Sequence, residues 1–145
     1  MSQQPLFTTD YQVAHSDYTS AGKASADIKK RLKQLGIGGD VLRRVAVASY
    51  EVELNLVIHS DGGTLTLSVY PDLVQLVSTD TGPGIPDVSM AMREGWSTAS
   101  DEARSLGFGA GMGLPNMKRN SDEFAIKSAV GVGTTITMGF HIAQS

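Results

Sequence analysis

Glu51 and Asn55 stand four residues apart, and His59 follows four further on. On a helix that spacing stacks a carboxylate, a neutral amide oxygen and an imidazole along one strip. Such a carboxylate can take a proton from a hydroxyl or water that attacks a terminal phosphate. An amide carbonyl is a hard ligand suited to magnesium, which keeps several waters and draws on phosphate oxygens for the rest. A second set is Asp80-x-Gly82-x-Gly84. A carboxylate at the bottom of an apolar pocket can accept the exocyclic amine of adenine, a donor that guanine lacks there. Gly82 and Gly84 let the backbone come close to a flat base. A third set places glycine at 107, 109, 111 and 113, followed by Leu114-Pro115. Successive backbone N–H groups beside a helix start form an anion cradle, and proline suits the first helical turn. The fourth set, Gly131-x-Gly133-Thr134, opens the last strand with a hydroxyl in reach of a base or a bridging water. In this order the four sets predict a site for ATP and magnesium. The glycine spacing fits neither a dinucleotide fingerprint nor a P-loop.

Each set also has a plain structural reading. Glu51 could pair with Arg44, two turns earlier on the same strip, and Asn55 could cap a neighbouring backbone. His59, at the helix end, suits free carbonyls and the helix dipole better than catalysis. Asp80 to Gly84 reads equally as a turn after a strand. The 107–113 run reads as a flexible surface loop, and 131–134 as a strand turn. Between the second and third sets, residues 86–106 hold Arg93, Trp96, Ser97, Thr98 and Arg104. A segment so placed can close over a nucleotide as a lid. Trp96 suits a packing anchor more than a stacking platform.

The positioning elements follow from periodicity. Residues 6–13 are rich enough in β-formers for a first strand. Residues 19–35 predict an amphipathic helix, with Ala24, Ile28, Leu32 and Leu35 on one side and Lys29, Lys30, Arg31 and Lys33 on the other. That basic run is a solvated face or a docking surface for an acidic partner. Gly36, Gly38 and Gly39 end the helix. Asp40 is the expected N-cap of a second helix reaching His59. There Glu51 and Asn55 fall between two apolar rows, Val41, Val45, Val52 and Leu56 on one side and Val47, Leu54 and Ile58 on the other. A carboxylate in that setting needs a polar partner. Glu53 points about 160° away and does not share the task. Leu42, Tyr50 and Val57 are outward positions that could meet the first helix or a second subunit. Residues 64–69 alternate as a half-buried strand, Pro71-Asp72 turns the chain, and 73–77 returns as a hairpin. A helix from 113 and strands over 124–129 and 134–142 complete the pattern. The fold class expected is α/β (α+β): a two-layer sandwich with a mixed, mostly antiparallel sheet covered by helices on one face.

Size and composition agree. The 145 residues fit a single domain able to bury a core. Twelve basic against 15 acidic residues give a net charge of −3, which argues against a nucleic-acid partner. There is no cysteine, so disulfides and thiolate metal sites are excluded. The start, Met1 to Phe7, lacks signal-peptide character, and no apolar run nears the roughly 20 residues that span a bilayer. The expectation is a cytoplasmic protein with no membrane partner.

In their order and spacing the four sets resemble the GHKL superfamily of ATPases, which share the Bergerat fold. The resemblance covers residues 42–142. It implies that Glu51 is the catalytic base, Asn55 the magnesium ligand and Asp80 the acceptor of the adenine amine. It further implies that Gly82, Gly84, Gly107, Gly109, Gly111 and Gly113 shape the pocket and lid, and that Thr134 supports the base. Within the superfamily the chain is similar to the anti-sigma regulatory factors. That branch implies a serine/threonine protein kinase whose protein partner is an anti-sigma antagonist of the STAS fold, a sigma factor, or both, commonly as a homodimer. A nucleotide-dependent binding module without kinase activity, or an ATPase domain serving a larger assembly, is the competing reading. The glycine run followed by Leu114-Pro115-Asn116-Met117 is closer to histidine-kinase-like lids.

Overall fold

The computed structural model describes residues 4–85, 88, 92 and 113–142. Strand β1 is Phe7–Val13, helix α1 Lys23–Gln34, helix α2 Gly39–His59, strand β2 Gly63–Tyr70 and strand β3 Leu73–Asp80. Helix α3 is Gly113–Asn120, strand β4 Glu123–Ala129 and strand β5 Gly133–His141. The five strands form one sheet in the order β1-β2-β3-β5-β4. The sheet was expected to be mixed, yet every described pairing is antiparallel.

Alternation decides which face the helices cover. Leu65, Leu67 and Val69 of β2, Val74 and Leu76 of β3, and Ile136, Met138 and Phe140 of β5 are buried. They join Ile28 and Leu32 of α1, Val45, Val52 and Leu56 of α2, and Met117 of α3 in one core cluster. The opposite sheet face is polar, with cross-strand hydrogen bonds between Thr8 and Ser68 (3.1 Å) and from Thr66 to Asp10 (2.7 Å). This is the two-layer sandwich, with the described helices on one face. Among the described residues, no helix is long and apolar enough to cross a membrane.

Several local expectations are corrected. Helix α1 begins at Lys23 rather than 19, because Gly22 adopts a left-handed φ of 98° at the N-cap. Leu35, expected on the apolar stripe, is the C-cap and is largely exposed. The N-cap of α2 is Gly38, not Asp40. Asp40 lies inside the first turn, where its charge suits the positive end of the helix and pairs with Arg43 and Arg44. Of the positions expected to meet the first helix or a second subunit, Leu42 and Val57 are buried within this chain, Leu42 in the same cluster as Ile28 and Leu32 of α1, and Tyr50 is exposed.

Candidate nucleotide-binding site

Helix α2 lies between α1 and α3 and carries Glu51 and Asn55 half-buried, one turn apart. The pairing of Glu51 with Arg44 is not formed. Arg44 bonds instead to Asp40 (2.8 Å), Asp122 (3.2 Å) and the Asn120 carbonyl (3.0 Å). It thereby ties the start of α2 to the end of α3. Glu51 accepts only a long hydrogen bond, 3.5 Å, from Asn116 Nδ2 of α3, among the described residues. Burial pushes its carboxyl pKa up, and the Asn116 bond offsets this in part. Its other oxygen faces the start of α3: a side chain at Gly113 would put its Cβ 3.4 Å from Glu51 Oε2. The last glycine of the 107–113 run therefore lies against the carboxylate of α2. A cation or a hydrogen-bond donor would fit beside that carboxylate.

Asp80 ends β3 on the covered face, beside β5. Its Oδ1 accepts the backbone N–H of Thr134 at 3.1 Å. Burial raises its pKa most strongly; the Thr134 bond opposes this, and the nearby charge of Asp61 adds to it. Thr134 is buried, and its hydroxyl pairs with Ser128 Oγ at 2.8 Å. Ser128 in turn accepts the N–H of Ile85 at 2.7 Å. The loop after Asp80 is thus fastened to the β4–β5 turn, also through Gly131 N–H to the Pro83 carbonyl (2.9 Å). Two glycines are demanded by this closeness. Gly84 has a left-handed φ of 74°, and a Cβ there would collide with the Ala129 carbonyl. Gly133 has φ 150°, and a Cβ there would collide with the carbonyl of Asp80. Their backbone reason is contact with the neighbouring turn.

The end of α2 meets the Asp80 loop directly. Asp61 N–H donates to the Thr81 carbonyl at 3.0 Å. A Cβ on Gly63 would lie 2.9 Å from Leu56 Cδ2 and 3.0 Å from Asp80 Cα, so Leu56 sits over the strand pair beside Asp80. Two groups of expected residues are assembled in this way. Glu51 joins Gly113, and Asp80 joins Gly84, Gly133 and Thr134, with Gly82 in the same loop. Gly107, Gly109, Gly111, the lid residues Arg93, Trp96, Ser97, Thr98 and Arg104, and the side chain of His59 lie outside the described residues.

Glu53 is a residue whose task sequence reasoning missed. It is 2% exposed and accepts the N–H groups of Gly22 (3.0 Å), Ala24 (3.1 Å) and Ser25 (2.9 Å). Those are the free amides at the start of α1, so Glu53 caps that helix from α2. The signal was a helix start with glycine at its N-cap and no acidic residue in its first turn.

The chain is 33% identical over 108 residues to the serine/threonine-protein kinase RsbT of Bacillus subtilis (strain 168), covering 72% of this chain and 75% of that protein. It is 32% identical over 112 residues to an anti-sigma F factor of Geobacillus kaustophilus (strain HTA426), covering 73% of each. An anti-sigma F factor of Priestia megaterium is 30% identical over 129 residues, 84% of each chain. Residues 39–144, from the start of α2 to beyond β5, match the model of one family, and the chain belongs to it: the histidine kinase-, DNA gyrase B-, and HSP90-like ATPases.

Proposed function

We propose that this protein is an anti-sigma-type serine/threonine protein kinase that moves the terminal phosphate of ATP to a hydroxyl of a regulatory protein. The observation that carries this reading is Glu51, half-buried, with no described cation beside it, and set against Gly113 at the start of α3. A base whose pKa is raised toward the working pH removes a proton more effectively. Glu51 takes the proton of the partner's serine or threonine hydroxyl; that oxygen bonds the terminal phosphorus as the bond to ADP breaks. Asp80 holds the adenine amine, with Thr134 fixing the carboxylate through its N–H. Gly82 and Gly84 shape the base pocket, and Gly107, Gly109, Gly111 and Gly113 offer backbone amides to the phosphates. Asn55 would hold magnesium, which supplies neutralisation of phosphate charge when bound.

The partner is a STAS-fold antagonist or a sigma factor, met by a homodimer in the cytoplasm. The relatives' names support a regulatory protein as partner: one is a serine/threonine-protein kinase and others are anti-sigma F factors. The anti-sigma names also favour a second reading, in which nucleotide only sets the shape that sequesters a sigma factor. Incubation with labelled ATP and candidate STAS-fold proteins separates the two. Label on the partner supports the kinase, and nucleotide-dependent co-elution without label supports sequestration. Glu51→Ala is expected to abolish transfer while keeping ATP affinity. Asp80→Asn is expected to weaken ATP binding itself by tenfold or more, about 1.4 kcal/mol. Undiminished transfer by the Glu51 variant removes its role as base.

A further inference from the structure

Among the described residues, Ser78 Oγ is the one buried side-chain polar atom without a hydrogen-bond partner. Ser78 is 1% exposed and lies on β3, on the face covered by the helices. Other buried hydroxyls nearby are satisfied: Ser49 donates to the Ala46 carbonyl (3.1 Å), Ser60 to the Leu56 carbonyl (2.6 Å), and Thr134 pairs with Ser128. Ser78 faces Leu65 on β2 and Ile136 on β5, positions that call for an apolar neighbour. An unpaired buried hydroxyl is destabilising, because it loses its hydrogen bonds to water and gains none in exchange. Alanine or valine would suit the strand better, so the hydroxyl needs a reason.

Its place supplies one. Ser78 precedes Asp80 by two residues on the same strand face and is the more deeply buried of the two. Same-face neighbours stand about 6.6–6.8 Å apart, a span that one bridging water fills. We infer that Ser78 is a second polar contact for the purine: its hydroxyl pairs, directly or through one trapped water, with an adenine ring nitrogen beside the amine held by Asp80. The inference rests on the reading of Asp80 as the adenine acceptor. Ser78 is then a specificity residue, and its missing partner in the free protein is the base.

Calorimetric titration with ADP, 1-deaza-ADP and 7-deaza-ADP tests it, on the wild type and on Ser78→Ala. Ser78→Ala weakens ADP about fivefold to tenfold. One of the two deaza analogues loses a similar factor on the wild type, yet loses nothing further on Ser78→Ala, because both changes remove the same bond. The nucleotide-free variant melts no lower than the wild type, since the hydroxyl it lacks was unpaired. Unchanged ADP affinity, fully additive losses or a lower melting temperature of the free variant each overturn the inference. Asp80→Asn separates the two levels of the argument. If it weakens ADP while Ser78→Ala does not, only the Ser78 contact fails. If the wild type binds no adenine nucleotide, the reading of the site itself fails.

Discussion

Glu51 is held half inside the protein, and its protonation state couples to stability with a definite sign. Burial raises its pKa above the unfolded value, and Asp80 is shifted in the same direction for the same first cause. A carboxyl with a raised folded pKa binds its proton more tightly in the native state, so its ionisation weakens the fold. The penalty is absent below the unfolded pKa of about 4.3, grows as pH rises through the folded pKa, and is complete above it. Glu51→Gln removes the penalty. At pH 7.5 the variant should melt above the wild type, and the difference should close near pH 4. Thermal melts across that range check it, and an equal difference at both ends would contradict the burial argument. This residue also marks where sequence reasoning stopped. The helical strip placed Arg44 and Glu51 in line, and the plain reading joined them. Nothing local showed that Asp122, 78 positions from Arg44, competes for the same guanidinium.

The elements were legible wherever the cause is local. Alternation in 64–69 and the turn at Pro71 set the β2–β3 hairpin, and the observed strands extend it by a few residues on paper and in space. Boundaries were less legible, because caps depend on single backbone angles. Asp40 looked like an N-cap, yet Gly38 is the extended residue that precedes the helix, and the carboxylate falls inside the first turn. The start of α1 was the hardest to read. Its N-cap residue supplies no side-chain bond, and its amides are satisfied by Glu53, 28 to 31 positions away in sequence. Periodicity correctly set Glu53 apart from the strip of Glu51 but could not show what it meets. One buried carboxylate accepting three backbone N–H groups fixes α1 against α2. Glu53→Ala leaves those amides buried and unpaired, so the expected loss is about 2–4 kcal/mol. Urea denaturation measures it; a loss below about 0.5 kcal/mol would mean that α1 finds another cap or frays at little cost.

At the scale of the whole molecule, strand order was beyond the sequence. Both hairpins were readable, but nothing local told that β5 rather than β4 lies against β3. That choice brings Thr134 to Asp80 and so builds half of the candidate site from residues 54 apart. The other half comes from α2, and Leu56 over Gly63 joins the two through the core. Residues of α1, α2, α3 and the strands share that one cluster. A nucleotide resting on Asp80 and reaching Asn55 would therefore be linked to every element at once. Anything that binds only the folded state stabilises it by RT ln(1 + [L]/Kd), about 2.7 kcal/mol at a hundredfold excess over Kd. For a chain of this size that is about 8–10 °C in Tm. Scanning calorimetry of the wild type should show one transition, with calorimetric and van't Hoff enthalpies in agreement, and ADP with magnesium should move it whole. A trace that splits, with only part of the heat shifting, would mean that the nucleotide holds a subregion rather than the shared core. In that case the contact between α2 and β3 would not be the route by which the site feels the rest of the protein.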